Sequence, residues 1–109
     1  MSFGLSRKAF GQITAVFKKF PNINTAALFG SRAMGTHKPS SDVDIALKGE
    51  ITLSILAKVK AYLEEETPLP YTFDVVDYDT IENPAFRQHI DKYGILIYKK
   101  SSGFKRENY

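Results

Sequence analysis

Residues 25–47 read TAALFGSRAMGTHKPSSDVDIAL, and this stretch decides the fold. Ala26 to Phe29 is a short apolar run that stops at Gly30-Ser31, the pattern of a buried strand ending in a turn. Ten residues separate Ser31 from Asp42, and they include Gly35, Pro39, Ser40 and Ser41, so they read as a polar loop. Asp42 to Leu47 then alternates, with Asp42 and Asp44 on one face and Val43 and Ile45 on the other, the signature of a half-buried strand.

On the N-terminal side, Phe10, Ile13, Val16, Phe17 and Phe20 recur at helical spacing. They predict a core-facing helix from about Ser6 to Phe20, with Ser6 as N-cap and Pro21 as stop signal. On the C-terminal side, Ile55, Leu56, Val59, Tyr62 and Leu63 predict a second helix over about Thr52 to Glu65, ended before Pro68 and Pro70. Tyr71 to Val76 reads as a strand. Asn83 and Pro84 fit the N-cap and first position of a third helix with Gly94 at C′, and Ile95 to Tyr98 reads as a last strand. The order implies a small α/β (α+β) domain, a mixed β-sheet flanked by helices. A right-handed crossover through the second helix would set the Asp44 and Asp74 strands parallel and adjacent.

The chain has 109 residues, and residues 1–99 read as one domain followed by a basic, mobile tail at 100–109. With no cysteine, disulfides, thiolate zinc sites and cysteine nucleophiles are excluded. Two histidines, His37 and His89, leave little for a histidine-based metal site. No apolar run approaches the ~18 residues of a membrane span, and the N-terminus lacks an apolar signal region, so a cytoplasmic location is expected. Of the net charge of +3, all lies in the last eleven residues, where Lys99, Lys100, Lys105 and Arg106 face only Glu107. The body is balanced, which argues against nucleic acid as a partner.

Gly30 and Ser31 suit a phosphate. A residue without a side chain lets the phosphate approach the backbone, and Ser31 adds a hydroxyl and an N–H. A helical turn starting there would add positive potential, and Arg32 and Lys38 could add charge-assisted contacts. Asp42 and Asp44, two apart on a strand, lie roughly 6–7 Å apart on one face. Hard oxygen ligands at that spacing can share divalent cations such as Mg²⁺. Two-metal phosphoryl chemistry needs such carboxylates, and a third from a neighbouring strand would complete the cage. Asp74, in Phe73-Asp74-Val75-Val76-Asp77, is the preferred third member, ahead of Asp77 and Asp79.

These residues resemble a family. GSRAMGTHKPSSDVDIAL, with the later FDVVD, is similar to the minimal nucleotidyltransferases (MNT) of the polymerase-beta-like superfamily: Gly-Ser, ten residues, Asp-x-Asp, then an acidic residue one strand later. The resemblance covers about Thr25 to Lys99. Met34 departs from it, since the family often has a second arginine there. The resemblance implies transfer of a nucleoside monophosphate to a hydroxyl with release of pyrophosphate. In that scheme Asp42, Asp44 and Asp74 hold two Mg²⁺ ions (or Mn²⁺), and Gly30 and Ser31, helped by Arg32 and Lys38, hold the nucleotide. Stand-alone members resemble the antitoxin halves of HEPN/MNT toxin–antitoxin pairs. That implies ATP as donor and a tyrosine of a small helical HEPN-type toxin as acceptor, with self-association or hetero-assembly left open. The alternatives are a non-catalytic module that neutralises a partner by contact, and a transferase acting on RNA ends or a small molecule. His37 reads as a solvated loop residue with nucleotide contact as the alternative, His89 as a surface or packing residue, and Glu64-Glu65-Glu66 as a solvated helix end.

Overall fold

The computed structural model describes residues 3–100. Of the tail expected at 100–109, residues 101–109 lie outside the described residues. Four strands form one sheet in the order β3-β2-β1-β4. β1 (Ile23–Phe29) runs antiparallel to both β2 (Val43–Gly49) and β4 (Ile95–Lys99), while β2 and β3 (Phe73–Asp77) are parallel. The crossover between them is α3 (Leu53–Ala61), which continues as one π-helical turn, Tyr62–Glu66.

Sequence periodicity explains which side of the sheet each helix covers. α1 (Arg7–Lys18) buries Ala9, Ile13, Val16 and Phe17, and Ser6 Oγ accepts from the Ala9 N–H at 3.0 Å. Val43, Ile45 and Leu47 of β2, Leu28 of β1 and Phe73 of β3 join that stripe, with Val59 and Leu63, in the larger core. On the other face Phe29, Ala46, Tyr78 and Ile90 form a smaller core, flanked by Val76, Ile81 and Phe86. This second face is covered by α4 (Pro84–Tyr93), whose first turn is capped by Asn83. Asp44 and Ala46 alternate with the larger-core residues of β2, so Asp44 belongs to the α4 face.

Three local features differ from expectation. β1 begins three residues before Ala26, because pairing with a strand on each side recruits Ile23 to Thr25 despite the polar Asn24. Gly94 ends α4 in an extended conformation, φ −63°, and not in the left-handed region. Glycine serves there by its size, since a Cβ would lie 2.4 Å from the Ile90 carbonyl oxygen. The residues after Gly30 form a short helix, α2 (Gly30–Met34), closed by left-handed Gly35 at φ +79°.

Candidate active site

The C-terminal end of β1 and the N-terminal ends of β2 and β3 lie side by side. Phe29 is the register partner of Asp44, and Asp44 is the register partner of Asp74. The expected parallel pairing of the two acidic strands is therefore present, and it sets Asp44 and Asp74 on neighbouring strands, about 4.8 Å apart along the hydrogen-bonding direction. Asp42 and Asp74 are exposed and Asp44 is half-buried. Burial, then the negative charges of Asp74 and Asp42, raise the Asp44 pKa from 3.8 to about 6. The charge of Arg32 and the nearby His89 ring pull the other way.

Gly30 meets Asp44 directly. Its φ is +75°, which favours glycine, and a Cβ there would lie 2.2 Å from Asp44 Oδ2. The glycine is thus required by the carboxylate packed against it as well as by the turn. Its N–H donates to His89 Nε2 at 3.3 Å. Ser31 is half-buried at the second position of α2, with its carbonyl accepting from the Thr36 N–H at 2.9 Å.

Arg32 departs from its expected phosphate contact. It is 1% exposed, and its fork is occupied by backbone. Nη1 donates to the Phe3 carbonyl at 2.9 Å, Nη2 to the carbonyls of Ser41 at 2.9 Å and Pro39 at 3.3 Å, and Nε to Ser41 at 3.3 Å. The guanidinium also lies 4.9 Å from the centre of the Tyr71 ring. A planar five-donor group satisfies three carbonyls from two separated segments at once, so Arg32 ties the N-terminal segment and the 35–42 loop together just before Asp42. Lys38 stays exposed on that loop, its backbone N–H held by Ser41 Oγ at 2.8 Å. No hydrogen bond or ion pair among the described residues joins its side chain to the carboxylates.

Three residues have roles that local pattern did not show. His37 is half-buried, and its Nδ1 is buried with no hydrogen-bond partner among the described residues. Glu64 is more than a solvated helix end. It accepts the Phe73 N–H at 2.8 Å and pairs with Lys60 at 2.8 Å, and Lys60 also donates to the Phe73 carbonyl. The Lys60 hydrogen bond and the Phe73 N–H hold the Glu64 carboxyl below its usual range. Together they grip the outer edge of β3 one residue before Asp74. His89 reaches the first residue of the turn, from 59 positions away in the chain.

Among the described residues, no three His, Asp or Glu side chains are already drawn together as a metal cluster. The donor set nevertheless fits a divalent cation. It is made of hard carboxylate oxygens, on exposed Asp42 and Asp74 and half-buried Asp44, and the burial and mutual repulsion that raise Asp44 are what such a cation would offset.

The chain matches the family described as polymerase beta, nucleotidyltransferase, over residues 11–103. The chain belongs to that nucleotidyltransferase family. It is 37% identical over 79 residues to a Haemophilus influenzae protein named "Probable protein adenylyltransferase MntA", covering 70% of this chain and 67% of that one. Among solved structures, a toxin–antitoxin crystal structure with AMP-PNP matches with a TM-score of 0.70 at 21% identity, over 86% of this chain and 76% of the other. The complex of a tri-AMPylated Shewanella oneidensis HEPN toxin with an MNT antitoxin matches with a TM-score of 0.65 at 18% identity, over 86% and 72%. At those identities the structures show the fold, and the fold is that of the polymerase-beta-like nucleotidyltransferases. No helix among the described residues of this family member is long and apolar enough to cross a membrane.

Proposed function

We propose that this nucleotidyltransferase moves AMP from ATP to a tyrosine hydroxyl of a HEPN-type toxin in the cytoplasm, and so acts as its antitoxin. The observation that carries the reading is the in-register pairing of Asp44 with Asp74 beside Gly30, in a chain homologous to the adenylyltransferase MntA. Asp42, Asp44 and Asp74 would hold Mg²⁺, which when bound neutralises the triphosphate and polarises the α-phosphate. Gly30 and Ser31 receive the β- and γ-phosphates, and the Ser31 hydroxyl donates to one of their oxygens. The tyrosine oxygen forms its bond to the α-phosphorus as the bond to pyrophosphate breaks, and the phenolic proton is released. The protein's main contribution is in-line placement of these groups. Arg32 supports this indirectly, by fixing the Ser41 carbonyl and with it the start of the strand that carries the acidic pair.

The test is intact mass spectrometry of the co-purified toxin after incubation with ATP and Mg²⁺. A gain of one or more AMP units, absent with Asp42→Asn/Asp44→Asn, is the expected result. Neutralisation of the toxin by that double variant, with no mass gain from the wild type, would replace the reading with a contact-only binding module.

A further inference from the structure

Gly30 is gripped from two sides. The Asp44 carboxylate packs against its Cα, where a Cβ would lie 2.2 Å from Oδ2, and His89 Nε2 takes its N–H at 3.3 Å. The histidine is itself well placed to hold something still. It stands on α4 next to Ile90, which is buried in the smaller core. Its ring lies edge-on to Phe29 at 6.2 Å between centres and 5.3 Å from the Tyr93 ring. An Nε2 that accepts carries no proton, so the ring proton sits on Nδ1.

We propose that His89 is a positioning residue of the nucleotide site, which holds the Gly30–Ser31 turn in its phosphate-ready conformation by accepting the Gly30 N–H. The proposal rests on the reading of that turn as the phosphate seat. The physical reason is the freedom of glycine. A residue at φ +75° with no side chain has no steric preference that keeps it there, and α2, at five residues, is too short to impose one. The hydrogen bond that the Gly30 N–H donates to His89 on α4 supplies the missing constraint. It also directs the ligand: with the Gly30 N–H taken, the donors left for phosphate begin at Ser31. The role is indirect, because the imidazole acts through the Gly30 peptide and not on the phosphate.

The experiment compares His89→Gln, His89→Asn and His89→Ala with the full chain. A glutamine oxygen can reach the place of Nε2 and accept, whereas an asparagine reaches only the place of Nδ1. Hydrogen exchange of the Gly30 amide is measured by NMR, and the affinity for Mg²⁺ with a non-hydrolysable ATP analogue by calorimetry. The expected result is a protected Gly30 amide and wild-type affinity within about threefold for His89→Gln. For His89→Asn and His89→Ala, fast exchange and about tenfold weaker binding are expected, in the range of one lost constraint on a hydrogen-bonded group. Should His89→Ala not fold, the Gln and Asn pair decides the matter, since both keep a polar side chain of similar bulk. Wild-type affinity in both His89→Ala and His89→Asn overturns the proposal, as does a glutamine variant as weak as the asparagine one. Asp42→Asn/Asp44→Asn is run alongside. If that variant also binds the analogue like the wild type, the nucleotide-site reading fails; if it alone loses binding, only the role of His89 does.

Discussion

Removing the charge of Asp44 while keeping its shape, by Asp44→Asn, should raise the stability of the metal-free protein at neutral pH. The folded-state pKa of Asp44 is raised from 3.8 to about 6, so folding disfavours the ionised form. The native state therefore holds more protons than the unfolded chain between those values, and stability falls as pH rises through that window. Below about pH 4 nothing is lost, and above about pH 6 the full penalty applies. A shift of roughly two units corresponds to about 3 kcal/mol at most. Asp44 is only half-buried, and solvent screening reduces this to about 1–2 kcal/mol. For a domain of this size that is roughly a 5–10 °C rise in Tm. The assay is thermal or urea unfolding of both proteins in EDTA between pH 4 and pH 8. The gap should be small at pH 4 and widest at pH 8. Adding Mg²⁺ should then stabilise the wild type and not the variant, since a ligand bound by the native state alone stabilises by mass action. A variant equal to or less stable than the wild type at pH 8 in EDTA would refute the electrostatic argument, and so would a gap that widens towards acid.

Other outcomes follow from single contacts. Gly30→Ala should cost at least about 2 kcal/mol, from the left-handed backbone and the collision with the Asp44 carboxylate; in an Asp44→Ala background the cost should shrink, and a double-mutant cycle by urea unfolding measures the difference. Arg32→Met should destabilise by about 2–4 kcal/mol, because it strands the carbonyls of Phe3, Pro39 and Ser41. If Arg32→Lys instead unfolds like the wild type yet loses ATP affinity in calorimetry, the arginine serves the phosphates after all. Ser31→Ala should weaken binding of an ATP analogue by about 1 kcal/mol, roughly fivefold, with an unchanged Tm; a change in Tm without loss of affinity would assign the hydroxyl to the fold.

The helices and their capping residues were legible because their signals are local. The i, i+3, i+4 recurrence that ends in Phe17 and Phe20 needs only one helical turn to act, and Ser6 and Asn83 cap the residues three places ahead of them, while Thr52, expected as the first residue of the second helix, proves to be its cap. The strand that carries Asp44 follows from the alternation of its residues, although it begins at Val43 and leaves Asp42 just outside it, and the parallel setting of the Asp74 strand follows from crossover handedness. The direction in which Arg32 points and the reach of His89 follow from neither. The place of Arg32 beside Gly30-Ser31 points to a phosphate contact, yet its donors face inward. The carbonyls that satisfy them come from Phe3, 29 residues away, and from the returning loop at Pro39 and Ser41. His89 gave no local sign of a role, since a lone histidine in a helix has no periodic partner, and its contact with Gly30 exists only once α4 packs on the second face of the sheet. Glu64 likewise became a clamp on Phe73 only when the π-helical turn brought it to the free edge of β3. Hydrophobic and capping patterns repeat within a few residues and can be read along the chain. A polar side chain goes wherever folding leaves an unpaired backbone group, and the position of that group is settled by tertiary packing.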